Sequence, residues 1–380
     1  MPTERWRVPR IRHRQNDQAL KAGLLEAFEE MLDRESWRED LFVKKAEQDL
    51  AGFIGLPYVS TVQSGSAALR LALVACGLKP GDEVVTVANS DISTTAAISH
   101  CGGKVVFCDI SESDYTLAVD RVEELITDRT AGILPVDLYG HPADVKRLRS
   151  VAERYGLFIV EDAALAMGSK DYGENVGAYA DAVIFSLAPT KNLSALGQGG
   201  IVATNRFEIY EQVEILKAYG RPFSEAATVP LYSNFVAEGY NLRMHTIDAA
   251  ALTVKMPFAE QRCARRREIG RTYASILENV DRIKLPSFRE GSEPVFRSYV
   301  VRTQNRDRVT ELMRSEGVEV TLNYIPAMHK QPVYESLPAR NLSNTDAVCE
   351  QIMCLPVFPE MTDEEIRYVC DRLMEATGKN

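Results

Sequence analysis

Phe185-Ser186-Leu187-Ala188-Pro189-Thr190-Lys191-Asn192-Leu193, followed by Gly197-Gln198-Gly199-Gly200, sets a lysine in a Ser/Thr/Asn/Gly-rich turn directly after an apolar run. Most lysines decorate exposed faces. One that is partly desolvated has a lowered pKa and can serve as nucleophile or base. From this segment alone, an ordinary surface lysine remains the alternative.

Outward from that turn, short β-branched runs alternate with helical patterns between about residues 58 and 218. Residues 84–88, 104–108, 131–136, 157–160, 182–185 and 201–204 read as buried strands, apolar almost throughout. Residues 67–76, 94–100, 119–126 and 143–155 carry apolar side chains at three- and four-residue spacing, the helical period. Such alternation predicts an α/β fold, a mostly parallel sheet flanked by helices. Ligands of these sheets bind beyond the C-terminal strand ends, so the turns after strands are where chemistry belongs.

Two more such turns stand out. Gln63-Ser64-Gly65-Ser66-Ala67-Ala68-Leu69 opens a helix, whose free amides form an anion site aided by the Ser64 and Ser66 hydroxyls. An ordinary capped helix start is the alternative; the segment matches neither GxGxxG nor GxxxxGK[ST]. Phe158-Ile159-Val160-Glu161-Asp162-Ala163-Ala164 ends a strand with two carboxylates. Neighbours on a strand point to opposite faces, so at most one enters a given pocket. A strand-end anion cradle, Asp and Lys, in that order, are what pyridoxal phosphate requires: amides for its phosphate, a carboxylate for its pyridinium nitrogen and a lysine for the Schiff base.

The remaining features bound the answer. The 380 residues carry 44 Lys+Arg against 54 Asp+Glu, a net charge of −10, which argues against binding a nucleic-acid polymer. The seven cysteines are scattered without a CxxC pair, so no disulfide framework or metal site is expected, and a reducing cytoplasm suits them. The N-terminus is basic without an apolar signal core, and the longest apolar run, residues 71–78, is too short to span a bilayer. We therefore expect no membrane association. A helical stretch over 246–276, with Arg262, Arg265, Arg266, Arg267 and Arg271, reads as a solvated face. Strand-like segments at 296–302 and 318–322, with amphipathic helices at 306–315 and 363–376, read as a smaller C-terminal α+β domain. The expected division is an N-terminal arm and helix over 1–40 packing on the small domain, a large cofactor domain over 41–255, and the small domain over 256–380.

At this point the chain resembles the DegT/DnrJ family of pyridoxal phosphate-dependent sugar aminotransferases, of aspartate aminotransferase fold type I. The resemblance spans about residues 23–373. Besides the three turns, it rests on Gly81-Asp82-Glu83-Val84-Val85, Pro135-Val136-Asp137-Leu138-Tyr139-Gly140, Gly239-Tyr240-Asn241-Leu242-Arg243-Met244, Met328-His329-Lys330-Gln331-Pro332-Val333-Tyr334 and Leu355-Pro356-Val357-Phe358-Pro359. It implies that Lys191 is the Schiff-base lysine and Asp162 the pyridinium partner. Ser66, Ala67 and Ser186 would meet the phosphate, and Asn241 would reach the phosphate in a neighbouring subunit's site, making a homodimer with shared active sites. Tyr324 and His329 would approach the sugar nucleotide; the alternative for both is structural packing in the small domain.

Two positions depart from the family pattern. Where relatives usually carry an aromatic ring over the pyridine, ungapped alignment from Gly81 gives Asp91; where they usually carry Gln or His after Glu-Asp-Ala-Ala, this chain has Leu165. Asp91 either caps the following helix or marks an altered cofactor pose or substrate. The implied activity is transfer of an amino group from an amino acid, with glutamate the expected donor, to a nucleotide-linked keto-deoxysugar, for a natural product or surface polysaccharide. A ketocyclitol acceptor, or a non-catalytic family member, is the alternative.

Overall fold

A computed structural model describes residues 6–12, 18–33, 41–223, 234–338 and 340–378. Along the chain run α1 (Gln18–Asp33), α2 (Leu41–Ile54), β1 (Tyr58–Val62), α3 (Gly65–Ala75), β2 (Glu83–Val87), α4 (Ile92–His100), β3 (Lys104–Cys108), β4 (Thr130–Leu134), α5 (Val145–Tyr155) and β5 (Phe158–Asp162). A short ribbon, β6 (Lys170–Asp171) and β7 (Glu174–Asn175), precedes β8 (Ala182–Ser186), β9 (Gly200–Thr204), α6 (Phe207–Lys217), α7 (Thr246–Lys255) and α8 (Ala259–Leu277). The last part holds β10 (Ile283–Lys284), β11 (Tyr299–Thr303), α9 (Arg306–Ser315), α10 (Ser343–Gln351), β12 (Ile352–Leu355) and α11 (Asp363–Ala376).

Seven strands form the main sheet in the order β1-β9-β8-β5-β4-β2-β3. From β3 to β8 every pairing is parallel; β9 runs antiparallel to both its neighbours. Strand alternation sorts the core. Ala182 and Ile184 of β8 join Val84 and Val160 in a cluster with α3, α4 and α6. On the opposite face, Val183 and Phe185 pack with α2 and α7, and Val85 and Ile159 pack with α5. Both faces are covered, which is why these strands read as continuous apolar runs.

A second sheet, β10-β11-β12, is antiparallel and packs against α8, α9 and α11 through residues such as Tyr273, Val309 and Val369. Residues 6–12 run beside it: Val8 bridges Val318, and Arg12 pairs with Glu365 at 2.5 Å. Helix α1 instead lies along α7, where Gly23 leaves room for Val254; a Cβ there would stand 2.9 Å from that side chain.

Several expected elements take another form. Residues 119–126 make two 3-10 turns rather than an α-helix. Their apolar residues Val119, Val122 and Leu125 recur every three positions, the 3-10 period. The stretch 246–276 breaks at Pro257, which cannot donate to the preceding turn. Residues 318–322 form single bridges, not a strand, because Val318 pairs with the arm and Thr321 with Cys354 of β12. The strand expected from 296 begins at Tyr299: Phe296 has φ +49° and the Arg297 N–H donates to Tyr139 O, away from the small sheet. The arginine-rich face is not uniformly solvated either, since Arg266 is buried and donates to Val357 O at 2.8 Å. Among the described residues no helix is long and apolar enough to cross a membrane, and no cluster of His, Cys, Asp and Glu suits a metal ion. All seven cysteines are free.

Candidate active site

The C-terminal ends of β2, β4, β5 and β8 open onto one cavity of about 130 Å³, whose wall includes Asp91, Thr94, Asp162, Leu165, Lys191 and Tyr324. The turn that delivers the lysine is built by the backbone. Leu187 N–H donates to Gly199 O and Ala195 N–H to Leu187 O, while Lys191 N–H closes on Ala188 O at 2.9 Å. The Lys191 amine has no hydrogen-bond partner among the described residues. Burial lowers its pKa to about 8, the Arg297 charge adds to that, and Asp162 and Asp91 oppose it. A fraction of neutral amine is therefore present near neutral pH, as a base or nucleophile needs.

Asp162 is 3% exposed. Its Oδ2 accepts the Thr94 hydroxyl at 2.8 Å and its Oδ1 accepts Ala164 N–H at 3.2 Å; Thr94 Oγ1 lies 2.8 Å from Ser90 Oγ in turn. Burial raises its pKa, while these two donors and Lys191 favour the carboxylate. Glu161 turns to the other face, as strand alternation requires. It accepts Gly177 N–H at 2.7 Å and lies against buried Asp137, and burial drives both of these carboxyls upward.

Ser64 caps α3, its hydroxyl accepting Ala67 N–H at 3.2 Å. Of the two predicted phosphate contacts here, Ala67 thus has its amide engaged, whereas exposed Ser66 keeps its hydroxyl and a first-turn amide with no acceptor inside the helix. Ser186 comes to the same place from β8. A Cβ on Gly65 would lie 2.9 Å from Ser186 Cβ, and one on Gly200 would lie 2.3 Å from Ser64 O. Two missing side chains therefore leave the room in this cradle.

Other predicted residues separate. Tyr324 reaches the cavity wall, 133 positions after Lys191 in the chain. His329 does not border it: its Nε2 stands 3.0 Å from Asp346 Oδ1 and its ring packs edge-on to Phe107. Asn241 lies in a different, open groove of about 700 Å³ shared with Gln63, Arg243 and Thr246. Asp91 caps α4, accepting Ser93 N–H at 2.9 Å, and also borders the cavity beside Leu165. Cap and wall position coincide in one residue. Sequence reasoning missed Thr94, although a Ser/Thr run just past a strand end was a signal.

An unpartnered amine, a buried carboxylate and a cradle that a Cβ would fill together fit pyridoxal phosphate. The profile of the DegT/DnrJ/EryC1/StrS aminotransferase family matches residues 18–374. The chain belongs to that family.

DegT/DnrJ/EryC1/StrS proteins are pyridoxal phosphate enzymes of the type I aminotransferase fold, which the mostly parallel sheet here reproduces. Among its relatives is the "Pleiotropic regulatory protein" of Geobacillus stearothermophilus, 32% identical over 372 residues, which are 97% of this chain and 98% of that one. The dTDP-3-amino-3,4,6-trideoxy-alpha-D-glucose transaminase of Streptomyces venezuelae is also 32% identical, over 97% of this chain and 96% of the relative. Among solved structures, an aminotransferase of this family from Brucella abortus superposes with a TM-score of 0.89 at 26% identity, covering 96% of this chain and 98% of that one. S. venezuelae DesV in complex with a ketimine intermediate gives 0.84 at 31% identity, covering 94% and 98%.

Proposed function

We propose that this protein transfers an amino group from an amino acid, glutamate foremost, to a nucleotide-linked keto sugar. The observation that carries the reading is the pairing of an unpartnered Lys191 amine with a buried, hydrogen-bonded Asp162 at adjacent strand ends. Relatives that are nucleotide-sugar transaminases over nearly their full length support the substrate class.

When bound, pyridoxal phosphate supplies a carbonyl for the amino group and an electron-withdrawing ring that stabilises negative charge at the substrate carbon. Lys191 would anchor it. Once the incoming amino group had replaced it there, its freed Nζ would take the proton from Cα of the amino acid as general base and return it as general acid. Asp162 holds a proton at the pyridine nitrogen, oriented by Thr94 and Ala164. Ser66 and Ser186 bind the phosphate, and Leu165 and Tyr324 keep water from the amine. In this reading Asn241 serves the site of a second subunit, so the working unit is a homodimer, and the chain acts in the cytoplasm on behalf of amino-sugar synthesis. His329 does not border the cavity and keeps its sugar-nucleotide role only as a wall further out.

The test is a panel of keto sugar nucleotides and ketocyclitols incubated with glutamate, the amine product read by mass. Amination of a sugar nucleotide that disappears in Lys191→Ala supports the proposal. Amination of cyclitols alone, or turnover surviving in Lys191→Ala, overturns it.

A further inference from the structure

The Lys191 amine borders the cavity without a hydrogen-bond partner, so the place of its Nζ is set by the turn that carries it. Beyond the bonds at its base, that turn is gripped by helix α7. Asp248, in the first turn of the helix and 5% exposed, accepts Leu196 N–H at 3.0 Å and Gly197 N–H at 2.7 Å on the same Oδ1. Lys255 lies about two helical turns further along the same face. Its Nζ donates to Ser194 O at 2.7 Å and Ala195 O at 3.2 Å, with Ser194 Oγ at 3.4 Å. Every residue from Ser194 to Gly197 therefore has a backbone group bound by an ionisable side chain of one helix.

Neither side chain is diverted elsewhere. Among the described residues, the one ion-pair partner of Asp248 is the exposed His245, at 4.0 Å, and Lys255 has none. The turn has no regular structure of its own, and its amides and carbonyls need partners that neutral groups could supply. Charge-assisted bonds are about twice as strong as neutral ones. Drawn from a single helix, they also fix the turn as a unit against one rigid element. That element is itself fixed: Ala249, Ala250, Ala251 and Leu252 are buried, and Leu193 and Ala195 of the turn pack in the same cluster as Ala249 and Leu252. Beside Lys191, the Asn192 side chain adds a second hold, donating to Leu165 O at 3.4 Å and Met167 O at 3.3 Å.

We propose that Asp248 and Lys255 are positioning residues of the amino transfer. Acting through the backbone of residues 194–197, they hold Lys191 Nζ where it exchanges a proton with Cα of the donor. This rests on the aminotransferase reading above.

The experiment follows the visible absorption band of the cofactor-loaded enzyme in single turnovers with an amino acid. Amino acids are first screened on wild type; if none discharges the band, the aminotransferase reading falls and the proposal with it. With the donor so found, and with the same donor deuterated at Cα, wild type is compared with Asp248→Ala, Asp248→Asn and Lys255→Met. For Asp248→Ala and Lys255→Met the limiting rate should fall about 10- to 100-fold, while affinities for the donor and for pyridoxamine phosphate stay within about threefold of wild type. The deuterium isotope effect should be no smaller than in wild type, because the slowed step is the proton transfer itself. Asp248→Asn keeps an acceptor oxygen and should stand between Asp248→Ala and wild type. The two breaking variants act independently, so either one that folds decides the matter. A wild-type limiting rate in that variant would overturn the proposal. So would an isotope effect that vanishes, or a pyridoxamine phosphate affinity that falls in step with the rate, as general loosening of the site would produce.

Discussion

Thr94 donates its hydroxyl hydrogen to Asp162 Oδ2 at 2.8 Å, across 68 positions of sequence. The bond favours the charged carboxylate in a place where burial disfavours it. Hydrogen bonds to charged groups contribute about 1.5–3 kcal/mol. Thr94→Val keeps the shape and removes the donor. Its affinity for pyridoxal phosphate should fall about 10- to 100-fold in an absorbance titration, with the fold intact by circular dichroism; wild-type affinity would mean that Asp162 needs no such support.

Lys191 titrates near pH 8 because it is buried. In cofactor-free protein, the rate of pyridoxal phosphate capture should rise with the neutral amine and reach half its plateau near pH 8, not at the ordinary lysine value of about 10.4. The stability sign follows from the same depression. Below pH 8 the folded state carries the desolvated charge in full; between about pH 8 and 10.4 it has lost a proton that the unfolded chain still holds. Relative to Lys191→Met, wild type should therefore gain stability as pH rises through that window. Urea titrations at pH 7.5, 9 and 10.5 check this, and a difference constant with pH would contradict it.

Asp91, at the position where the family resemblance leads one to expect a ring, has its carboxylate engaged by Ser93, whose N–H and hydroxyl it accepts at 2.9 and 2.7 Å. As a helix cap it is worth about 1 kcal/mol. Asp91→Ala should lose about that much in urea denaturation, and Asp91→Asn, which also caps, should lose little. If Asp91→Asn instead weakens cofactor binding tenfold, the negative charge itself acts on the cofactor and the cap is incidental.

Gly200 faces the start of α3 so closely that a Cβ would stand 2.3 Å from Ser64 O, backbone that cannot swing aside. Overpacking of this kind costs about 1–3 kcal/mol. Gly200→Ala should lower the melting temperature and, by pushing α3 off β9, weaken cofactor phosphate binding more than it weakens pyridoxal without the phosphate. Equal effects on both would show that the cradle does not hold the phosphate.

Much of the sheet was legible because its cause is local. Six of the seven strands of the main sheet announced themselves as apolar runs, the edge strand β1 with its Ser60 and Thr61 being the exception, and the reactive turns follow strands directly: Ser64–Ser66 after β1, Asp162 at the end of β5, Lys191 after β8. Two errors, at 119–126 and at Pro257, had local causes; the others fell where a distant partner overrode local preference. Phe296 and Arg297 leave the strand pattern because the Tyr139 carbonyl takes the Arg297 N–H. Residues 318–322 divide between the arm and β12.

What the sequence by itself determined was the order of strand-end turns and the residue types they present, since a turn's composition and its flanking runs depend only on near neighbours. Only the tertiary structure decided which of those side chains meet. It brought Thr94 to Asp162, set Tyr324 in the wall with Lys191, and kept His329 and Asn241 out of that wall. None of these contacts has a local cause. Each arises because the parallel crossovers return the ends of β2, β4, β5 and β8 to one edge of the sheet, and because Tyr324 packs with Val300 and Cys354 of the small sheet.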